Sequence, residues 1–204
     1  MDGRELTSAD SLLADLDGDP SGRALVNWDS EKWGLYIRGY QQGADVLIEQ
    51  ALGDTSSLDL LVYPAMFLYR HYLELTLKLC AWEASRVRGP GARVPKGHDV
   101  RHLWGQLCQR LAEAIPDWPP DQLSEMSRLI GEFATIDPGA QGFRYPVDSK
   151  GGPSLEGVNL INLRNVRNVM GKIAFLLDCM DAELSNRLDF ILERESEMGD
   201  SAGL

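Results

Sequence analysis

The chain has 204 residues, 44% of them hydrophobic and 25% charged, with a formal net charge of −11. That length and balance suit one globular domain around one core. The acidic surplus excludes a broadly basic nucleic-acid binder, whose affinity comes mostly from Lys and Arg on phosphates, so any polyanion must be met by a local basic patch or a partner protein. No apolar run approaches the ~20 residues that span a bilayer. The acidic start, MDGRELTSADSLLADLDGDPSG, lacks a basic segment followed by an apolar one, so no secretory signal is expected. Cys80, Cys108 and Cys179 lie far apart on apolar segments. They read as small buried hydrophobes in a reducing compartment, and a cytoplasmic location is expected.

In chain order, residues 1 to 28 are rich in Asp, Gly and Ser and are expected to form a mobile acidic arm ahead of one helical domain over 29 to 198. A first helix is predicted from Asp29 or Ser30 as cap, with Trp33, Tyr36, Ile37, Tyr40, Ala44, Leu47 and Ile48 at helical spacing. Gly39 and Gly43, one turn apart, permit close approach of another helix. A second helix, from Leu58 or Pro64 to Val87, is apolar nearly all round and is expected at the bundle centre. RGPGARVPKG breaks the chain. Asp99 then caps a third helix carrying Val100, Leu103, Leu107 and Leu111, and Gln122 to Ile136 reads as a fourth. The segment DPGAQGFRYPVDSKGGPSLEG has no regular period, and loops of this length are usually functional or mobile. A last helix is predicted from about Val158 to Glu195 with two adjacent apolar seams. The fold class is all-α, an antiparallel bundle of about five helices with a long C-terminal helix.

The order of three motifs carries a resemblance. LELTLKLCAW contains Glu74-x-x-x-Lys78, KGHDVRHLW contains Gly97-His98-Asp99, and FRYPVD contains Arg144-Tyr145-Pro146. In this order, over roughly residues 33 to 180, they resemble the HEPN superfamily. The resemblance implies a helical domain, frequent dimerisation, and a prokaryotic stress, toxin–antitoxin or phage-defence setting. Ribonuclease members carry R-x(4-6)-H on a late helix. Here the three histidines are His71, His98 and His102, and Asn162, Arg164, Asn165, Arg167 and Asn168 have none beside them. Arg93 and His98 match R-x-x-x-x-H literally, but a Pro/Gly loop gives them no shared helical face.

Among single residues, Arg70, His71, Glu74 and Lys78 fall within about 100° of arc on the second helix. The simpler reading is an internal ion-pair line from Arg70 through Glu74 to Lys78. The sharper one is a polar groove facing the Arg144-Tyr145 loop, able to hold a phosphate or a nucleotide edge. His98 is expected to brace its loop by hydrogen bonding. His98 and His102 at i, i+4 have no third ligand at useful spacing, so no metal site is expected. Arg86, Arg88, Arg93, Lys96 and Arg101 form a basic cluster, read as a solvated loop or an RNA contact. The candidate ligand-binding set is therefore Arg70, His71, Glu74, Lys78, His98, Arg144 and Tyr145.

The expected function is a HEPN-like module, leaning away from an enzyme and needing no cofactor, that binds RNA, a nucleotide or a partner protein. The alternatives are a divergent metal-independent ribonuclease using Arg164 or Arg167, Tyr145 and a histidine brought in by folding, and a purely structural assembly subunit. Leu184, Leu188, Phe190 and Ile191 are expected to project uncovered from the last helix and to form a homodimer or partner contact.

Overall fold

A computed structural model describes residues 23–26 and 32–201, with side chains in the second stretch from Trp33 to Glu197. The chain divides into two units, Met1–Lys32 and Trp33–Leu204. In the first unit, residues 23–26 are irregular and exposed. The rest of the expected arm, and the Asp29 or Ser30 cap, lie outside the described residues.

The second unit is a helical bundle. Its helices are α1 (Lys32–Gly53), α2 (Leu58–Val87), α3 (Val100–Ala114), α4 (Pro120–Ile136) and α5 (Leu163–Ser201), with a short 3-10 turn at Thr55–Ser57 between the first two. No described helix is long and apolar enough to cross a membrane. α1 forms because Ile37, Ala44, Ile48 and Ala51 recur at helical spacing and bury one face. Gly43 lets that face come close to α2, since a Cβ there would lie 3.3 Å from Leu68 Cδ1.

α2 is the central helix. Twelve of its thirty residues are buried, from Ala65 to Ala84, and each large apolar side chain among them contributes roughly 1.5–3 kcal/mol. Pro64 sits inside the helix but on its exposed side, where water can take the carbonyl left unbonded one turn earlier. α3 starts where Asp99 accepts hydrogen bonds from the main-chain N–H groups of Arg101 and His102 at 2.8 and 3.2 Å. α4 starts with Pro120 in its first turn, two residues before the Gln122 expected. α5 begins at Leu163, not Val158. Asn162 caps it, its side-chain oxygen accepting from Asn165 N at 3.1 Å, so 158–162 stays outside the helix.

Side-chain pairings give the helix directions. Tyr40 meets His71 and Asp45 meets Tyr69, so α1 runs against α2. Trp104 Nε1 donates to Ser127 Oγ and Arg101 donates to Gly131 O, so α4 runs against α3. α3 runs with α2, because the 88–99 loop carries the chain back until His98 reaches Arg70 and Glu74, while Arg110 later donates to Ala81 O. α5 also runs with α2. Met66 faces Val166 and Met170 at one end, and Trp82 faces Leu188 and Ile191 at the other.

That parallel register corrects one expectation. Leu184 and Leu188 are buried and Ile191 is half-buried. α2 and α5 start level, and thirty residues at about 1.5 Å each carry α2 alongside α5 as far as Ile191. The end of α3 closes the same region, with Arg187 donating to Ala114 O at 3.0 Å. Among the described residues, the large apolar side chains left exposed there are Phe190 and Leu192.

Candidate functional site

The 88–99 loop and α2 build the inner half of the site. Gly97 adopts a φ of +92°, a left-handed turn that glycine makes without strain, and this swings His98 onto α2. His98 Nδ1 lies 2.8 Å from Glu74 Oε1, and Lys78 Nζ donates to the same oxygen at 2.7 Å. Arg70 Nη1 pairs with the other Glu74 oxygen at 3.7 Å, and Arg70 Nη2 donates to the His98 carbonyl. Arg70 is 2% exposed and Glu74 4%, whereas the His98 side chain is 77% exposed. A buried carboxylate therefore holds an open imidazole by one nitrogen.

The electrostatics follow from this packing. Burial alone would raise the Glu74 carboxyl, but hydrogen bonds from Lys78 and His98, and their charges, hold it below its ordinary value. Burial lowers the Arg70 guanidinium, opposed by Glu74, Asp137 and Asp99. Burial also lowers His71 from 6.5, so its neutral form is favoured; the nearby Glu74 opposes this, while Lys78, Arg70 and His98 add to it.

The outer half is aromatic. The His71 ring meets the Tyr40 ring edge-on at 4.3 Å and lies nearly parallel to Phe67 at 6.2 Å between centroids. The Arg144 guanidinium sits over Phe67 at 5.5 Å and over Tyr145 at 5.2 Å. The loop carrying Arg144 is held by Asp137, whose buried side chain accepts from Gln141 N and Gly142 N at 2.9 Å each.

The structure thus places Arg70, His71, Glu74, Lys78 and His98 in one cluster, with Arg144 and Tyr145 one helical turn away across Phe67. Sequence reading missed Phe67 and Tyr40. Phe67 lies four residues before His71 and Tyr63 four before that, so the face is legible by spacing, but on a helix that is apolar nearly all round Phe67 does not stand out from the core.

Other candidates separate. Arg93 is exposed, and its proposed partner His98 turns to Glu74. His102 bonds Gln106 at 2.7 Å, away from His98. The basic cluster is dispersed: Arg86 stacks on Trp82, Arg88 pairs with Glu113 at 2.6 Å, and Arg101 donates to Gly131 O and Thr135 Oγ1. Arg167 pairs with Asp45 at 3.8 Å and Glu49 at 3.7 Å. Asp45 also accepts from the buried Tyr69 hydroxyl at 2.5 Å. Among the described residues no group of three or more His, Cys, Asp and Glu side chains could hold a metal ion.

No family model, curated protein or solved structure matches this chain.

Proposed function

We propose that the chain is a HEPN-like binding module without nuclease chemistry of its own, and that it holds a nucleotide or a short single-stranded RNA segment on the outer face of α2. One observation carries this reading: Arg144 and His71 both lie against the Phe67 ring, beside the exposed Tyr145. Unpaired bases stack on such rings and guanidinium planes. Arg144 supplies charge for a phosphate, Lys78 being paired with Glu74 at 2.7 Å, and His98 offers an open imidazole edge. A prokaryotic stress, toxin–antitoxin or phage-defence role is what the resemblance implies. The ribonuclease reading is weaker, because Arg167 is committed to two carboxylates and no histidine lies on α5.

Fluorescence anisotropy with labelled hexauridylate, hexaadenylate and a labelled adenine nucleotide tests the proposal. Saturable binding by at least one probe is expected, weakened by roughly tenfold or more in Arg144→Ala. Few cations line the site, so log K against log salt should have a shallow slope, on the order of −2. Binding that survives Arg144→Ala overturns the assignment. Metal-independent RNA cleavage lost in Arg164→Ala would restore the ribonuclease reading.

A second reading concerns assembly. Phe190 and Leu192 are exposed near the end of α5, beside a cavity of about 600 Å³ walled by Trp82, Arg86, Leu188 and Ile191. We propose that this end forms the homodimer or partner contact, with Phe190 and Leu192 in place of the covered leucines. Light scattering of full-length Phe190→Asp/Leu192→Asp should report a monomer where the parent chain is a dimer. An unchanged mass removes this interface.

A further inference from the structure

Beyond the nucleotide face, a cleft opens between the first turns of α2 and the 142–163 chain. It consists of two adjoining cavities of about 440 and 310 Å³ that share the walls Tyr63, Phe143, Leu155 and Val158. Arg144 lines only the first and Asp59 only the second, so the cleft has a cationic and an anionic end. Its rim is apolar and open: Tyr63 is 50% exposed, Tyr145 47% and Leu160 89%.

The chain bordering the second cavity is unusual. From Val158 to Asn162 it runs without turn or bend. The main-chain N–H and C=O groups of Asn159, Leu160 and Ile161 have no hydrogen-bond partner among the described residues. Paired main-chain groups are the rule in folded proteins, and a straight unpaired run is a template for another strand. The wall opposite is firmly built. Asp137 fastens Gln141 and Gly142, Val147 bridges Pro153, and Gly142 sits so close to Leu155 that a Cβ would lie 2.7 Å from its Cδ2.

We propose that this cleft docks an extended segment of a partner protein. The segment's main chain pairs with residues 159–161, and two apolar side chains, two residues apart, enter the adjoining cavities. Alternate side chains of a strand lie about 7 Å apart on one face, which suits two cavities that share walls. The charged ends set the direction: an acidic residue or C-terminal carboxylate faces Arg144, and a basic residue faces Asp59. A nucleic acid fits poorly, since one arginine opposed by one aspartate leaves a phosphate backbone without counter-charge. Arg144 borders both this cleft and the Phe67 face, but main-chain pairing at residues 159–161 and filling of the two cavities do not rest on nucleotide binding there.

Selection of displayed random peptides of about nine residues on the full-length protein, with Leu160→Asp as counter-target, is the test. Both Leu160 and Tyr63 are exposed, so Leu160→Asp and Tyr63→Ala should fold. The expected result is an enriched family with apolar residues at i and i+2 and an acidic neighbour. Synthetic members should bind each variant roughly tenfold or more weakly. They should bind Phe175→Ser, which changes another exposed apolar residue outside the cleft, as well as the parent. Hydrogen exchange should slow at the 159–161 amides on binding. Absence of an enriched family, peptides that bind Leu160→Asp equally, or unprotected 159–161 amides each overturn the proposal. Hexauridylate that competes with the selected peptides and is weakened by Leu160→Asp overturns it in favour of nucleic acid.

Discussion

Two arginines lie close to the same turns of α2, and they differ in almost everything else. Arg70 is buried, its Nε and Nη1 have no hydrogen-bond partner among the described residues, and its charge is balanced by Glu74 with Asp99 and Asp137 near. Arg144 is exposed, and among the described residues its guanidinium lies over the Phe67 and Tyr145 rings and donates to the Tyr145 hydroxyl. A buried charge is tolerated because its partners stay in place, so the free energy of the inner cluster is tied up in folding. An exposed guanidinium stacked on rings keeps its donors for another molecule. The inner region fixes the loop geometry, and the outer region is left free to bind.

The largest expected effect tests the inner half. Glu74→Ala strands Arg70 in the interior and removes the anchor of His98 and Lys78. Removing one partner of a buried pair costs about 3–5 kcal/mol, so the Tm should fall steeply or folding should fail. Lys78→Ala should be much milder, because Arg70 and His98 still satisfy Glu74. Equal, small losses in both variants by thermal melting would mean that the cluster is solvated rather than structural.

Arg144→Ala should do the reverse. Stability should change within about 0.5 kcal/mol, as for other exposed positions, while nucleotide or RNA binding drops. A chemical-denaturation midpoint and an anisotropy titration on the same preparation separate the two effects. A large loss of stability would place Arg144 with Arg70, and the contrast between the regions would disappear.

Much of this contrast could be read from residue spacing. Arg70, Glu74 and Lys78 at i, i+4 predict an ion-pair line, and the Asp99 cap is found where its side chain and position suggest. Other features depend on long-range register. Nothing local says that the 88–99 loop doubles back, so the sequence puts His98 in the candidate set and has it brace its loop by hydrogen bonding without naming Glu74 as its partner. The coverage of Leu184 and Leu188 has the same origin, because it follows from α2 and α5 starting level and running parallel. Val158 to Asn162 looked helical by its apolar spacing. Asn162 caps the helix instead, and the straight stretch before it became the border of a cleft.

The smallest effect sharpens the comparison through pH. His71 belongs to the outer shelf but is partly buried against Tyr40 and Phe67, and burial lowers its pKa from 6.5. Below 6.5 the unfolded chain takes up a proton at this position that the folded chain resists. The unfolded state then binds more protons, and stability falls as pH drops through the window just below 6.5, being fully retained above it. Glu74 acts in the same sense at lower pH: its folded pKa is depressed from 4.5, so its contribution is present above 4.5 and is lost as the medium becomes more acidic. Charges facing His71 come from Glu74, which favours protonation, and from Lys78, Arg70 and His98, which oppose it. Between about pH 7 and about pH 5 the imidazole should dominate the slope, since the carboxylate has not begun to titrate. The Tm of the parent chain should therefore decline over that interval by a few degrees, and His71→Asn should flatten the decline without steepening it below. If His71→Asn leaves the slope unchanged, or the parent gains stability on acidification, the imidazole is solvated in the folded state, and the shelf at Phe67 is more open than its ring contacts imply.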